Sequence, residues 1–292
     1  MDNEKNKVEK GTLYLVGTPI GNLADLSPRA IKILSEVDFV AAEDTRNSLR
    51  LLSACGISAQ LLSYHEHNTA VSGAKILNRL KDGESCALII DAGMPAISDP
   101  GEDLVRLLLD NDVAVKVVPG PSAVISAIAL SSLPTKRFAF EGFLDAKKSL
   151  RRAQIEKIKN DDRTIVFYEA PHKLKQTLAD LCDILGNERK ISVCRELTKL
   201  NEQVLRFNLG GAVEFYETND PSGEFVLVVE GANEENCCKI NSEIENITLS
   251  EHVRLYEDKG FSSMDAIKAA AKERGIKKSD FYKLLLEEKD KK

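Results

Sequence analysis

Three loops rich in glycine, proline and small side chains each follow directly on an apolar run that is typical of a buried strand. The loops span residues 17–23, 91–101 and 119–123. Small residues allow a backbone to come close to a ligand, and ligands of parallel α/β sheets lie beyond the carboxyl ends of the strands. A single loop of this kind is usually an ordinary turn. Three of them at one edge of a sheet predict a ligand-binding site.

The pattern of these loops differs from that of the common phosphate-binding loops. No Gly-x-Gly-x-x-Gly pattern follows the first strand-like run and no Gly-Lys-Ser/Thr pattern occurs in the chain, which disfavours NAD and ATP. We expect no metal site, because the four histidines and six cysteines lack paired ligand spacing. His65 and His67 share a loop without an evident third ligand, so His65 better fits a hydrogen-bonding role at the mouth of the site.

The elements that must position these loops alternate between strands and helices. Their alternation over residues 11–121 predicts a mostly parallel α/β domain. Further strands over 122–232, with a hairpin turn predicted at 219–223, indicate a second α/β domain with a mixed sheet. The polar residues 232–248 predict a linker. Residues 248–288 predict a small helical extension of two or three short helices, for which a plain helical bundle is favoured over a DNA-reading motif.

Composition limits the classes of function. With 292 residues and 43% hydrophobic side chains, the chain can form two cores of ordinary size. It has neither an apolar run near the roughly 18–20 residues of a membrane span nor an apolar signal core at its amino terminus. Scattered cysteines suit reduced thiols, so we expect a cytoplasmic protein without a membrane partner. The net charge of −6 argues against a general nucleic-acid coat protein, although a local basic cleft remains compatible with it.

Eight short motifs carry a resemblance to a known family. In chain order they are Gly-Thr-Pro-Ile-Gly-Asn-Leu at 17–23, Ala-Glu-Asp-Thr-Arg at 42–46, Ser-Tyr-His-Glu-His at 63–67, the loop 91–101, Pro-Gly-Pro-Ser-Ala at 119–123, Glu-Gly-Phe-Leu at 141–144, Phe-Tyr-Glu-Ala-Pro-His at 167–172 and Arg-Glu-Leu-Thr-Lys at 195–199. From about residue 11 to 231 the chain resembles the tetrapyrrole methylase superfamily. The last three motifs narrow the resemblance to the bacterial small-subunit (16S) ribosomal RNA cytidine 2′-O-methyltransferases. The resemblance implies a homodimer that uses S-adenosylmethionine.

The resemblance also implies, position by position, which residues contact the cofactor. They are Pro19, Ala92, Gly93, Met94, Ile97, Ser122, Ala123, Tyr168, Glu169 and Leu197. Asp91 and Ser98 lie in the same loop as several of these and are expected to bond the amino-acid or ribose portion. A carboxylate near a sulfonium is also favourable by charge attraction.

The implied acceptor is a ribose 2′-hydroxyl, which needs a nearby base or electrostatic stabiliser. Glu43 matches the position of a proposed carboxylate base in the superfamily's tetrapyrrole enzymes, and Asp44 adjoins it. Arg46 is placed to hold a phosphate beside them. A purely structural ion pair between Glu43 and Arg46 is an alternative of about equal weight.

Two groups of cations are candidates for contacts with RNA phosphates. They are Lys147, Lys148, Arg151 and Arg152 in one short segment, and Arg195 and Lys199 at the end of a strand. A solvated helix face is an equally weighted alternative for the segment 147–152, since charge runs usually mean no more than that. A surface salt-bridge network with Glu196 is the alternative for the second group.

Three functions remain open at this point. The resemblance favours an S-adenosylmethionine-dependent enzyme that methylates a cytidine ribose in the decoding region of 16S ribosomal RNA, with ribosomal RNA or the small subunit as partner. A methyltransferase of tetrapyrroles or other small molecules is the second interpretation. The third is a non-catalytic RNA-binding ribosome-assembly factor. The motifs at 141–144 and 168–172 disfavour the second, and the small residues Ala92, Gly93 and Ala123 disfavour the degenerate pocket that the third requires.

Overall fold

The computed structural model describes most of the chain, namely residues 7–232, 247–258, 261–274, 276 and 278–290. These residues divide into two compact units. The larger comprises 7–159 and 163–230, and the smaller comprises 160–162, 231–232 and the described residues from 247 onward. The predicted linker 232–248 lies outside the described residues except at its two ends.

The first sheet of the larger unit consists of five parallel strands. They are β1 (Thr12–Val16), β2 (Phe39–Ala42), β3 (Leu61–Ser63), β4 (Cys86–Ile89) and β5 (Ala114–Val118), in the order β3-β2-β4-β1-β5. The helices between them are α1 (Pro28–Glu36), α2 (Thr45–Ala54), α3 (Thr69–Lys81) and α4 (Glu102–Leu109). Because all five strands run in the same direction, the loops that follow them meet at one edge of the sheet. The predicted parallel sheet is confirmed.

Alternate residues of these strands enter two different cores. In β1, Leu13 belongs to one cluster of buried apolar side chains, and Tyr14 and Val16 belong to the other. Adjacent residues of a strand point to opposite faces, so both faces of the sheet are covered. This explains why the strands are continuous apolar runs rather than alternating ones.

The second sheet of the larger unit is mixed, as predicted. Its strands are β6 (Phe138–Phe143), β7 (Thr164–Glu169), β8 (Lys190–Arg195), β9 (Gln203–Asn208) and β10 (Phe225–Val229), in the order β6-β7-β10-β8-β9. Only the β6–β7 pair is parallel. The accompanying helices are α5 (Ala123–Leu130), α6 (Lys148–Ile158), α7 (Pro171–Leu185) and α8 (Leu209–Thr218). Both sheets lie within the same compact unit, and the division into domains 11–121 and 122–232 stays a prediction.

One connection in the second sheet differs from the prediction. Residues 219–223 do not form a hairpin turn, because they join α8 to β10. The antiparallel hairpin is β8–β9, whose strands are linked by residues 196–202. Two glycines in α8, Gly210 and Gly211, disfavour a helix on sequence grounds. The side chain of Asn208 accepts a hydrogen bond from the Gly211 N–H at 2.7 Å and thereby caps this helix.

The smaller unit contains α9 (Leu249–Glu257), α10 (Ser263–Glu273) and α11 (Lys278–Asp290), in agreement with the predicted helical extension. Helix α9 begins with a capping box in which Thr248 and Glu251 bind each other's backbone N–H groups. Val253, Ala270 and Phe281 share a small apolar core. Among the helices of the described residues, none is long and apolar enough to cross a membrane.

Candidate active site

A cavity of about 400 Å³ lies between the carboxyl edge of the first sheet and the second sheet. Small-molecule sites typically have volumes of roughly 300–1,000 Å³. The first-sheet side of the lining consists of Ile20, Glu43, Asp91, Ala92 and Asp99. The remaining lining residues are Ala123, Phe143, Tyr168, Glu169, Ala170, Pro171, Leu197, Glu224, Phe225 and Val226.

The loops that follow β1, β4 and β5 contact one another through their main chains. A Cβ atom on Gly17 would lie 2.7 Å from the Gly120 Cα atom, so only glycine fits there. Thr18 and Gly93 exchange two backbone hydrogen bonds of 2.9 and 3.2 Å. These glycines therefore join the loops to each other. The N–H and carbonyl groups of Gly93 are thus engaged by Thr18, and the residue lies outside the cavity lining, so its contact with the cofactor stays a prediction.

Negative charge dominates the lining of the cavity. Five of its fifteen residues are acidic and none is Lys, Arg or His: Glu43, Asp91, Asp99, Glu169 and Glu224. The first three make no ion pair within the described part of the chain. An uncompensated cluster of carboxylates attracts a cationic ligand.

Burial and mutual repulsion shift the protonation of this cluster. Burial raises the pKa of Glu43; a hydrogen bond from the Asp91 backbone opposes this, and the negative charges of Asp91 and Glu66 add to it. Burial, followed by the charges of Glu43 and Asp91, raises the pKa of Asp99 to about 6. Both carboxyl groups are thus more basic than ordinary acidic side chains, which suits groups that accept a proton during a reaction.

Of the other two acidic residues, one is buried and hydrogen-bonded and one is paired with a cation. The Glu169 side chain is buried, and it accepts hydrogen bonds from the Ala170 N–H at 2.8 Å and the Thr177 hydroxyl at 2.5 Å. It therefore anchors the start of α7. Glu224 is paired with the Lys199 ammonium group at 2.9 Å.

The structure brings half of the twelve predicted cofactor residues to the cavity lining. These are Asp91, Ala92, Ala123, Tyr168, Glu169 and Leu197. Pro19 lines a neighbouring cavity of about 320 Å³ that shares Ile20, Asp91, Ala92 and Glu224 with the first. Besides Gly93, the predicted residues outside the lining are Met94, Ile97, Ser98 and Ser122.

Two of these four side chains have structural contacts instead. The Met94 Sδ atom lies 2.7 Å from the point where a Cβ atom on Gly17 would stand, so Met94 packs against the first loop. The Ser122 side chain accepts a hydrogen bond from the Ile125 N–H at 3.5 Å and caps α5. Their contacts with the cofactor stay a prediction.

Left-handed backbone conformations shape two loops beside the cavity in the same way. Ile97 and Leu197 are each flanked by two residues with positive φ: Ala96 (67°), Ser98 (60°), Glu196 (51°) and Thr198 (65°). Such conformations are unfavourable for residues other than glycine and concentrate at functional sites. The flanking pair directs Leu197 into the cavity lining, whereas Ile97 remains half exposed outside it.

Of the predicted catalytic residues, only Glu43 lines the cavity. The Asp44 side chain accepts hydrogen bonds from the Arg46 N–H and guanidinium group, both at 2.8 Å, and caps α2. These hydrogen bonds lower the pKa of Asp44 to about 2. The alternative of a Glu43–Arg46 ion pair is therefore wrong, because Arg46 binds Asp44. His65 and His67 contact each other outside the lining, and within the described ranges no cluster of His, Cys, Asp and Glu could hold a metal ion.

The basic segment at α6 is largely neutralised by its neighbour α7. The Arg151 side chain is 3% exposed, and its guanidinium group binds the buried Asp180 carboxylate at 2.7 Å. Arg152 binds Asp180 at 3.0 Å and Asp183 at 2.5 Å. The prediction that Arg151 grips phosphate is wrong because the residue is buried and paired. The two lysines of the segment are exposed and form no ion pair with other described residues.

The second group of candidate cations is also engaged. Arg195 donates hydrogen bonds to the backbone carbonyl and the hydroxyl of Ser222, both at 2.6 Å. Lys199 forms ion pairs of 2.9 Å with Glu196 and Glu224. The structure thus favours the salt-bridge network over free phosphate-binding side chains at Lys199.

Several lining residues were not predicted from the sequence. Asp99 and Phe143 lie within two of the motifs that carry the family resemblance, at 91–101 and 141–144. The motifs were therefore recognised, but these two residues were not predicted to line the site. The start of β10 carried no signal. It reaches the cavity because β10 runs antiparallel to β7 and pairs Phe225 with the last residue of that strand.

Comparisons with known proteins agree with this architecture. A family model described as Tetrapyrrole (Corrin/Porphyrin) Methylases matches residues 12–213. Proteins named ribosomal RNA small subunit methyltransferase I are 46% identical in Halalkalibacterium halodurans, covering 96% of both chains, and 44% identical in Bacillus subtilis, covering 94% of both. The X-ray structure of a cobalt precorrin-4 methyltransferase shares the fold, with a TM-score of 0.58 at 16% identity over 79% of this chain and 97% of that one. The chain therefore belongs to the tetrapyrrole methylase family, whose methyltransferases use S-adenosylmethionine, and within it to the group of ribosomal RNA small subunit methyltransferases I.

Proposed function

We propose that this protein transfers a methyl group from S-adenosylmethionine to the ribose 2′-hydroxyl of a cytidine in the decoding region of 16S ribosomal RNA. The names of the relatives from Halalkalibacterium halodurans and Bacillus subtilis support a small-subunit ribosomal RNA substrate. The motif resemblance supports the cytidine ribose. The observation that carries the chemistry is the acidic cavity, whose lining contains no basic side chain.

The residues of this cavity fit a cofactor with positive charge. S-adenosylmethionine supplies, when bound, a methyl group that its sulfonium activates for transfer. Asp91 and Asp99 provide the negative charge that attracts such a group. Ala92 and Ala123 keep the wall clear of long side chains, and Leu197 adds an apolar surface that excludes water.

Glu43 is the proposed base. Because burial raises the pKa of its carboxyl group, it accepts a proton more readily than an exposed glutamate does. It takes the proton of the 2′-hydroxyl as the new oxygen–carbon bond forms and the sulfur–carbon bond breaks, so that a neutral thioether leaves. The protein's further contribution is to align the acceptor oxygen with the methyl group.

The RNA is held outside the cavity in this proposal. Lys147 and Lys148 are exposed cations of the basic segment and are the remaining candidates there for phosphate contacts. The acidic lining repels phosphate groups, so only the acceptor's base and ribose approach it closely.

We further propose that the enzyme acts as a cytoplasmic homodimer. The family resemblance is the main support. In addition, β5 is an edge strand of the first sheet, and Val117 on it is 50% exposed. An apolar edge strand is a surface that proteins usually cover. Light scattering at micromolar concentration should give twice the mass of the chain, and a monomer contradicts this part of the proposal.

Methyl transfer to ribosomal particles tests the function directly. The protein is incubated with isotope-labelled S-adenosylmethionine and small subunits that lack the modification, and the RNA is digested for nucleoside mass spectrometry. We expect labelled 2′-O-methylcytidine. Glu43→Gln should lower kcat by about 10²–10⁴-fold, with little change in the affinity for S-adenosylhomocysteine. Glu102→Gln, at an exposed glutamate of α4 outside the cavity, is the control and should leave kcat unchanged.

Two results would contradict the proposal. Label in a base-methylated nucleoside excludes the ribose as acceptor. Label in a porphyrinogen but not in RNA assigns the enzyme to small-molecule substrates.

A further inference from the structure

Strand β6 carries a β-bulge at the point where it reaches the cavity. Phe140 lies opposite Val166 of β7, and Gly142 lies opposite the next residue, Phe167, so that Glu141 is an extra residue. Gly142 has a φ of +66°, a left-handed conformation that suits a bulge. Bulges next to active sites commonly redirect a side chain.

The redirected side chain is that of Phe143. In a regular strand, residues three apart point to opposite faces. Here Phe140 and Phe143 both contact the Tyr168 ring, with ring centroids 4.9 and 5.4 Å from it. The bulge therefore places the two phenylalanines on the same face, with Tyr168 between them.

Phe143 is supported by this cluster and yet remains open to solvent. It lines the cavity, but 57% of its surface is exposed. An aromatic ring held in place by a neighbouring ring and left exposed at a cavity is a stacking surface. Exposed aromatic side chains bind unstacked nucleobases in this way in many RNA-binding proteins.

The electrostatics of the cavity favour a base as the occupant. Glu43, Asp91 and Asp99 repel the phosphate groups of an RNA strand. The base and the ribose are uncharged, so they are the parts of a nucleotide that can enter. Phe143 offers an uncharged aromatic surface on the lining of a site whose charged residues are all acidic.

We propose that Phe143 stacks on the base of the acceptor nucleotide after that nucleotide has been turned out of the RNA strand. The inference rests on the proposed function, because it assumes an RNA acceptor. Stacking holds the unstacked base against the Phe143 ring and leaves its ribose free to approach Glu43. Enzymes that modify nucleotides commonly extrude the target in this manner.

Steady-state kinetics with small subunits test the inference. Phe143→Ala should raise the KM for the subunit by about tenfold, with kcat at saturation and the affinity for S-adenosylhomocysteine close to wild type. Phe143→Tyr and Phe143→Trp should restore the wild-type KM, since both keep an aromatic face. Phe138→Ala is the matched control, because Phe138 lies on the same strand, is 38% exposed and does not line the cavity. It should leave the KM unchanged.

The outcomes separate this inference from the proposed function. A wild-type enzyme that transfers no methyl group to subunits overturns both. An active wild-type enzyme together with an unchanged KM in Phe143→Ala overturns the stacking role alone. A loss of S-adenosylhomocysteine affinity in Phe143→Ala also overturns it and assigns the ring to the cofactor's adenine. If Phe143→Ala does not fold, Phe143→Leu retains an apolar side chain and should show the same rise in KM; a wild-type KM in that variant counts against aromatic stacking.

Discussion

The cavity and the contact between α6 and α7 both collect charged side chains. The contact pairs its charges with one another, whereas Glu43, Asp91 and Asp99 in the cavity form no ion pair within the described part of the chain. Arg151 and Asp180 are buried together and satisfy each other. In the cavity, Glu43 and Asp99 are partly buried among other carboxylates without a cation. Burying charges without partners raises the free energy of the folded state. Ion pairing thus distinguishes charged residues that stabilise the fold from charged residues that are available to bind a ligand. The sequence alone does not show which residues are paired.

The largest expected effect comes from breaking the paired region. Arg151→Ala leaves the Asp180 carboxylate partly unpaired in a buried position, and removing one partner of a buried ion pair costs about 3–5 kcal/mol. Urea-induced unfolding should report this loss. Lys148→Ala, at an exposed position of the same helix, is the control and should change the free energy of unfolding by less than about 0.5 kcal/mol.

A double variant sharpens the interpretation. Arg151→Met combined with Asp180→Leu replaces the pair by apolar side chains and should recover most of the lost stability, because no unpaired charge remains buried at these two positions. If Arg151→Ala instead unfolds like the wild type and binds RNA less tightly, the pair is not structural.

An intermediate effect is expected for the unpaired carboxylates of the cavity, whose ionisation should make cofactor affinity depend on pH. Asp99, with a pKa of about 6, is neutral in acid and ionises as the pH rises through that value. A cationic ligand favours the ionised form, so the affinity for S-adenosylmethionine should rise about five- to tenfold between pH 5 and 7.5. S-adenosylhomocysteine, which lacks the sulfonium charge, should show a smaller rise. Isothermal titration calorimetry at several pH values measures both.

The same residue should affect folding with a defined sign. Its folded-state pKa lies above the reference value of 3.8, so its contribution to stability is present in acid and is lost as the pH rises through about 6. Asp99→Asn should remove this slope and also flatten the pH dependence of cofactor affinity. An unchanged affinity profile in Asp99→Asn contradicts the role of this carboxylate.

The smallest effect is expected at the surface. Replacing both Lys147 and Lys148 by Ala should weaken RNA binding and reduce the slope of log affinity against log salt by about one to two. The affinity for S-adenosylhomocysteine should not change. The matched control replaces Lys75 and Lys81, two exposed lysines of α3, and alters net charge equally. Equal slopes for the two double variants would mean that the segment acts only through net charge.

The sequence predicted most of the fold because the central strands of both sheets are buried on both faces. Such strands are continuous apolar runs, and the loops predicted to follow them do follow observed strands, as the loop 91–101 follows β4 (Cys86–Ile89). The main error was the hairpin turn at 219–223. It arose because α8 contains two adjacent glycines and is held by a cap and by packing rather than by intrinsic helix propensity.

The candidate site was predicted less completely, for a different reason. Loops after parallel strands must meet at one edge, so Asp91 and Ala92 could be placed from their position in the chain. Arg151 is buried and paired rather than free to bind phosphate because of Asp180, which lies 29 residues further along the chain. Phe143 reached the cavity because of a bulge. Neither a distant partner nor a bulge leaves a periodic signal in the sequence.

The contact between Gly17 and Gly120 has a thermodynamic consequence for ligand binding. At this point the two loops meet backbone to backbone, without side chains that must choose among rotamers. Immobilising a flexible side chain at a binding surface costs about 0.5–1.5 kcal/mol. Loops that are held together by main-chain contacts give up little conformational entropy when a ligand binds at the neighbouring cavity. More of the attraction from the carboxylates is therefore retained as affinity.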